Sequence, residues 1–281
     1  MLKRTIPSSN EQLPVLGLGT WSTFNVQTNA MQPLQKVLDE LYTAGGTLID
    51  SSPMYGNAET IIGELTNNFP LKRPTSIDAG HLTTDFFYAT KVWTTGKQAG
   101  IQQMEDSFRK MKRITMDLMQ IHNLLDWKTH LKTLREWRDA GKIRYIGITH
   151  YTDSMHAELE KIISAEEIDF VQFNYFIFAT NAEKHLLPLA ANRGVATIIN
   201  RPFGEGSAFN KVKNKELPAW AIEQGMDTWS RFFLAYIISH PAVTCVIPAT
   251  GNGEHAKENF NWEMPGLPNK KMRARMKALL D

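Results

Sequence analysis

With 281 residues the chain is long enough for one large domain or two modest ones, and 42% hydrophobic with 21% charged residues excludes a disordered chain. Lys plus Arg number 31 against 29 for Asp plus Glu, so the net charge of +2 lends nothing to a nucleic-acid or membrane-surface role. One cysteine, Cys245, excludes an intrachain disulfide framework and a cysteine-rich metal site, and the natural reading is a cytoplasmic protein.

Met1 to Arg4 leads into polar Ser8, Ser9, Asn10 and Glu11, not into the apolar core of a leader peptide. With that polar stretch as its turn, a small β-hairpin is predicted from residues 4–6 and 12–16. Short β-rich runs then begin near Leu16, Leu48, Phe87, Met116, Arg144, Asp169, Ala196 and Val243, and each gap has room for a crossover helix. Apolar stripes of helical period fill the gaps. They are Leu34, Val37, Leu38 and Leu41, then Ala58, Ile61, Ile62 and Leu65, then Ile101, Met104, Phe108 and Met111. Met155, Leu159, Ile162 and Ile163 form a fourth, and Trp229, Phe232, Phe233, Tyr236 and Ile237 the widest. Gly45, Gly141 and Gly194 stand where three helices should stop. The apolar run 232–238 ends at Ser239-His240-Pro241, far short of a membrane span. Residues 270–281 read as a short last helix with Met272, Met276, Leu279 and Leu280 inward.

Eight β–α units with near-continuous apolar strands predict an α/β fold, a (β/α)8 TIM barrel with an N-terminal β-hairpin and a short C-terminal helix. A doubly wound sheet would carry Gly-x-Gly-x-x-Gly after its first strand, whereas Gly17-Leu18-Gly19-Thr20-Trp21 lacks the third glycine and a helix start. No Pro/Gly/Ser-rich linker divides the chain, so 1–281 reads as a single domain.

In a barrel, chemistry is built at the C-terminal ends of strands. Asp50 closes Leu48-Ile49-Asp50, and Tyr55 follows in Met54-Tyr55-Gly56-Asn57. Lys91 closes Phe87-Tyr88-Ala89-Thr90-Lys91, and His122 closes Met119-Gln120-Ile121-His122. A buried ammonium is costly unless paired, and Asp50 on the adjacent strand is the obvious partner. Singly, Asp50 could cap a turn, Tyr55 could pack half-buried, and His122 could be a hydrogen-bonded core residue. Their joint occurrence at the ends of strands two, three and four points to a site. A hydrolase or isomerase using Asp50 and His122 is the competing class; it leaves Lys91 and Tyr55 idle, and no His/Asp metal cluster stands at strand ends.

Five separated segments, in order, resemble the aldo-keto reductases. They are Leu16-Gly17-Leu18-Gly19-Thr20-Trp21, then Leu48 to Gly56, Ala89-Thr90-Lys91-Val92-Trp93, Asp117 to His122, and Gly141 to Ile148. The resemblance implies reduction of aldehydes or ketones to alcohols by a nicotinamide cofactor, with a tetrad of Asp50, Tyr55, Lys91 and His122. Tyr55 would be the general acid, a role for which its pKa near 10 is high, so Lys91 is expected to lower it. Asp50 would hold the ammonium, and His122 would orient the carbonyl oxygen.

The resemblance further implies NADP(H), with NAD(H) as the alternative, held along the ends of the last strands. Gly19, Thr20 and Asp50 are implied contacts, and Gln172 matches the glutamine that holds the nicotinamide carboxamide. Thr149 and His150 replace the usual Ser-Asn. Asn200-Arg201-Pro202-Phe203 replaces Tyr-Ser-Pro-Leu, which removes the aromatic that stacks on the nicotinamide; Arg201 offers a guanidinium to the pocket or the diphosphate. Thr250, Asn252 and His255 open the helix after strand eight, with its free amides as a phosphate site, and Glu258 and Asn259 match the adenine contacts. Ala249 and His255 stand where a Lys and an Arg usually clasp the 2′-phosphate. Trp21, Met54, Trp93 and Asn123, with Phe24 a weaker candidate, are expected around an open substrate pocket. The expected partner is a small-molecule carbonyl, with no metal, nucleic acid or membrane, and the expected state is a monomer. Loss of the stacking aromatic at residue 200 keeps one other reading open, a cofactor-binding protein with weak or no turnover.

Overall fold

The computed structural model describes residues 1–67, 69, 77–78, 81–82, 86–263 and 265–280. β1 (Lys3–Thr5) pairs antiparallel with β2 (Gln12–Pro14). β3 (Leu18–Gly19) and β4 (Leu48–Asp50) begin the barrel, and β5 (Ile77–Asp78) pairs with β6 (His81–Leu82) outside it. β7 (Phe87–Val92), β8 (Met116–His122), β9 (Ile143–Thr149), β10 (Phe170–Asn174), β11 (Ala196–Asn200) and β12 (Cys245–Val246) complete it. Around the sheet the order is β3-β4-β7-β8-β9-β10-β11-β12, every pairing parallel. The ring closes on itself. Gly17 N–H donates to Val246 O, and Val246 N–H to Val15 O, each at 2.9 Å.

The crossover helices are α1 (Gln32–Thr43), α2 (Ala58–Asn67), α3 (Lys97–Lys110), α4 (Trp127–Asp139), α5 (His156–Ala165) and α6 (Leu186–Arg193). Past β11 come α7 (Ser207–Val212) and α8 (Ala219–Glu223), then α9 (Trp229–Ile238), α10 (Gly253–Phe260) and α11 (Lys270–Ala278). The anticipated stripes face the strands: Leu34, Val37, Leu38 and Leu41 of α1, for instance, are all buried. Gly45, Gly141 and Gly194 do end helices, at φ of 90°, 69° and 66°, a region that costs glycine nothing.

Two cores result. The larger lies between strands and helices; the smaller fills the barrel with Leu48, Phe87, Leu118, Tyr145, Phe170, Ile198, Cys245 and Ile247 over a floor of Ile6 and Leu13 from the hairpin. Inward positions change character along each strand, with the period of two that strands impose. β8 runs Leu118, Gln120, His122, and β10 runs Phe170, Gln172, Asn174. The barrel is therefore apolar below and polar at its C-terminal mouth.

The last helix differs in detail from the expectation. Only Met276 is buried, while Met272, Leu279 and Leu280 are half-covered; Asp281 lies outside the described residues. Phe24 is fully buried in the larger core and so lines no pocket. Among the described residues, no helix is long and apolar enough to cross a membrane.

Candidate active site

β4, β7 and β8 bring Asp50, Lys91 and His122 to the mouth, and the turn after β4 returns Tyr55 over them. Lys91 has no exposed surface, and Nζ donates to Asp50 Oδ2 and to Ser51 O, both at 2.6 Å. Burial alone would strip the ammonium of its proton, but Asp50 and then Tyr55 outweigh it and hold Lys91 above the ordinary lysine value. Nζ stands 5.1 Å from the centre of the Tyr55 ring, and that ring meets His122 edge-on at 5.7 Å. The four residues form one contiguous group.

Lys91 acts on Tyr55 in the expected direction, but the expected net depression of its pKa is not found. Burial pushes the phenol up, Lys91 pulls it down, Asp50 pushes it up again, and the balance lies above the ordinary tyrosine value. The phenol is therefore protonated across the neutral range. Burial, then the nearby positive charge of Lys91 and then His150, pull His122 down to about 2, so its ring is neutral. Ser52 Oγ lies 2.9 Å from Nδ1 and accepts the Met54 N–H at 3.3 Å. Its own proton can be given to Nδ1, the arrangement in which the ring proton sits on Nε2.

Sequence reasoning passed over two members of this group. Ser52 bonds Nδ1 of His122. Gln120, wholly buried, donates from Nε2 to Asp50 Oδ1 at 2.8 Å. Gln172 donates to the same oxygen at 3.0 Å, and its Oε1 accepts from the Thr149 hydroxyl at 3.1 Å and Asn200 Nδ2 at 3.4 Å. The signal for Gln120 was available: an amide at an inward position, two residues before His122.

Six non-glycine residues in left-handed conformation cluster at this mouth: Ser22, Asn123, Leu124, Asp126, Arg201 and Glu205. Such local strain gathers at working sites. Trp21, Met54 and Trp93 are 46%, 38% and 39% exposed at the rim, with Asn123 half-buried beside them. Tyr151, also unforeseen, lies flat against His150 at 5.1 Å and carries the Arg201 guanidinium 4.2 Å above its ring. Arg201 also pairs with Glu205 at 2.7 Å.

The remaining cofactor candidates divide. Thr20 is fully buried, and its hydroxyl donates to Asp50 O at 2.9 Å, so it ties β3 to β4; Gly19 is buried beside it, where a Cβ would come within 2.9 Å of Ile247 O. Pro202 is buried, and Phe203, half-buried, packs on Phe209. At α10 two of the amides expected to be free are not: Asn252 Oδ1 accepts from Glu254 N–H at 2.8 Å and His255 N–H at 3.4 Å, because asparagine is a strong helix cap. The Thr250 hydroxyl accepts the Asn252 N–H at 3.1 Å. His255 is exposed, Asn259 buried, and the Glu258 carboxylate accepts from Ser230 at 2.5 Å. A cation that the sequence did not suggest stands here: the stem of Lys36 from α1 lies across Gly253, and its ammonium pairs with Glu254. Among the described residues no group of three or more His, Cys, Asp or Glu side chains could hold a metal.

The aldo/keto reductase family model matches residues 15–279. The chain belongs to that family. The aldo-keto reductase YhdN of Bacillus subtilis is 24% identical over 195 residues, which make up 66% of this chain and 56% of that protein, so the match spans little more than half of that relative. Methylglyoxal reductase YeaE of Escherichia coli is 24% identical over 262 residues, covering 90% of this chain and 86% of that one. Among solved structures, an aldo-keto reductase from Klebsiella pneumoniae in complex with NADPH superposes with a TM-score of 0.78 at 21% identity, covering 100% of this chain and 96% of that one. An aldo-keto reductase from Bacillus halodurans in its holo form gives 0.76 at 20% identity, covering 100% and 97%. The barrel fold is therefore that of the family.

Proposed function

We propose that this protein is an NADPH-dependent carbonyl reductase in which Tyr55 delivers the proton. The observation that carries this reading is the buried Asp50–Lys91 pair lying against Tyr55, with a neutral His122 meeting the phenol ring edge-on. NADP(H) is the cofactor named for the Klebsiella pneumoniae structures similar to this one. The residues here fit a nicotinamide: Asn200 Oδ1 is buried without a partner, beside Gln172 and Thr149, and can accept a carboxamide N–H. Bound NADPH would supply a hydride to the carbonyl carbon. The His122 Nε2–H donates to the carbonyl oxygen and orients it. Tyr55 O–H gives its proton to that oxygen as negative charge develops there. Lys91, kept charged by Asp50, stabilises the phenolate left behind.

Arg201 stands at the end of β11 to meet the diphosphate, after giving up its pair with Glu205. At the start of α10 His255 stands in place of a fixed cation and Lys36 is already paired with Glu254, while Lys257 comes only in the last turn. NADPH should therefore be preferred over NADH only modestly. The exposed Trp21 and Trp93 at an open rim suit small aldehydes and ketones, for which methylglyoxal belongs on the test panel because a relative carries its name. The test is fluorescence titration with each cofactor, followed by absorbance at the reduced nicotinamide band with such a panel. Turnover of a small carbonyl with NADPH is expected. Cofactor binding with no turnover on any carbonyl would reduce the protein to a silent binder, and no binding at all would remove the proposal.

A further inference from the structure

Gln120 is a buried amide of the site that neither the tetrad nor the cofactor explains. It has no exposed surface, so it touches neither substrate nor solvent. Its Nε2 donates to Asp50 Oδ1 at 2.8 Å, and its Oε1 accepts from Gln172 Nε2 at 3.3 Å. Gln172 donates to the same carboxylate oxygen at 3.0 Å, while Lys91 holds the other, Oδ2, at 2.6 Å. Room for this side chain is built into the neighbouring strand. Gly147 lies opposite Gln120, and a Cβ there would come within 2.9 Å of Gln120 Cγ. Its φ is not positive, so space, not backbone conformation, calls for glycine at this position. An apolar residue at 120 would continue the core below it and bury no amide, which makes the amide worth its desolvation only through its bonds.

We propose that Gln120 is a positioning residue for the proton-delivering chain: its amide fixes one oxygen of Asp50 so that the other stays on Lys91. A carboxylate held by one donor on Oδ1 swings about its last torsion; held by two, it presents Oδ2 to the ammonium in one orientation. The inference rests on the reading of Tyr55 as the acid. Its effect falls on turnover: Gln172, which is expected to meet the cofactor, keeps its bonds to Asp50, Thr149 and Asn200 without Gln120.

Three variants test it. Gln120→Met keeps the length and removes the donor. It should lower kcat on the order of tenfold, the scale of one hydrogen bond to a charged group, with KM and the NADPH Kd unchanged within about twofold. Gln120→Glu keeps the shape and places a carboxyl against Asp50. The titratable groups facing that position are Asp50 from β4, Lys91 from β7, His122 one inward step above, and the Cys245 thiol of β12, which burial keeps protonated; Gly147 of β9 and Gln172 of β10 carry no charge. Two carboxyls in one site favour the neutral form of one of them. At low pH the new carboxyl donates to Asp50 and restores turnover; as the pH rises it ionises, and kcat relative to wild type falls. Tyr55→Phe, run alongside, separates the two claims. If Tyr55→Phe is fully active, the functional reading fails whatever Gln120 does. If Tyr55→Phe is inactive and Gln120→Met turns over like wild type, the positioning role alone is wrong. Should Gln120→Met not fold, a Gln120→Glu activity ratio independent of pH overturns the proposal by itself.

Discussion

A lysine with no exposed surface is the residue that decides this site. Left alone there, an ammonium would lose several kcal/mol of hydration and shed its proton; with Asp50 at 2.6 Å it keeps its charge under the phenol. His122 shows the opposite outcome, since it has no carboxylate partner and burial keeps it neutral. That has a cost in acid. Unfolded, the imidazole takes up a proton as the pH falls through 6.5, while folded it holds out to about 2. Its contribution to stability is present above 6.5 and is lost as the pH falls, by roughly 2 kcal/mol between pH 7 and pH 5. Comparing urea midpoints at those two pH values, wild type should lose more stability than His122→Gln; an equal loss would mean His122 is protonated in the folded protein. The tetrad was legible because each member closes or follows an apolar run. Gln120 and Ser52 were not, since their meaning lies in which carboxylate or imidazole the barrel brings beside them, and Tyr151 needed the fold to set it under Arg201.

At the scale of elements, long stripes were legible and short ones were not. The gap between Ala196 and the strand near Val243 holds α7 and α8, of 6 and 5 residues, too short to show a helical period. The pair β5 and β6, two residues each, left no alternation to read. Close approach between helices was equally hidden. Gly63 of α2 meets the end of α3 so tightly that a Cβ would lie 2.1 Å from Lys110 O and 3.0 Å from Met111 Cα. Both are backbone atoms, so relief requires moving the helix. Gly63→Ala should cost about 1–3 kcal/mol, the usual range for overpacking, and lower the melting temperature. An unchanged melting curve would show that the two helices can part freely. α10 carries a different lesson: the phosphate-site expectation overlooked that Asn252 caps the same amides.

For the whole molecule, the ends of the chain matter as much as the ring. The hairpin floors the barrel, and α11 is fastened by one side chain more than by its stripe. Arg273 donates to Tyr236 O, and at 2.7 Å each to Ser239 Oγ, Tyr175 OH and Glu183 Oε1. Glu183 also accepts from Tyr175 and Tyr236, bonds that with Arg273 outweigh burial and hold it below the ordinary carboxylate range. Arg273→Met should cost roughly 1.5–3 kcal/mol, the worth of charge-assisted bonds, and expose the C-terminal segment to limited proteolysis. Unaltered stability and protection would assign the hold to Met276 and its neighbours. The barrel itself was legible from the strand–helix alternation, its closure from the eight runs, but not this latch, which joins residues from three distant parts of the chain. The most direct test of the account as a whole is the turnover of Tyr55→Phe, with its NADPH affinity measured in parallel. In the proposed reaction the phenol acts only as charge develops on the carbonyl oxygen, so Kd should stay as in wild type while kcat falls at least ~100-fold. Full turnover without the hydroxyl would contradict it.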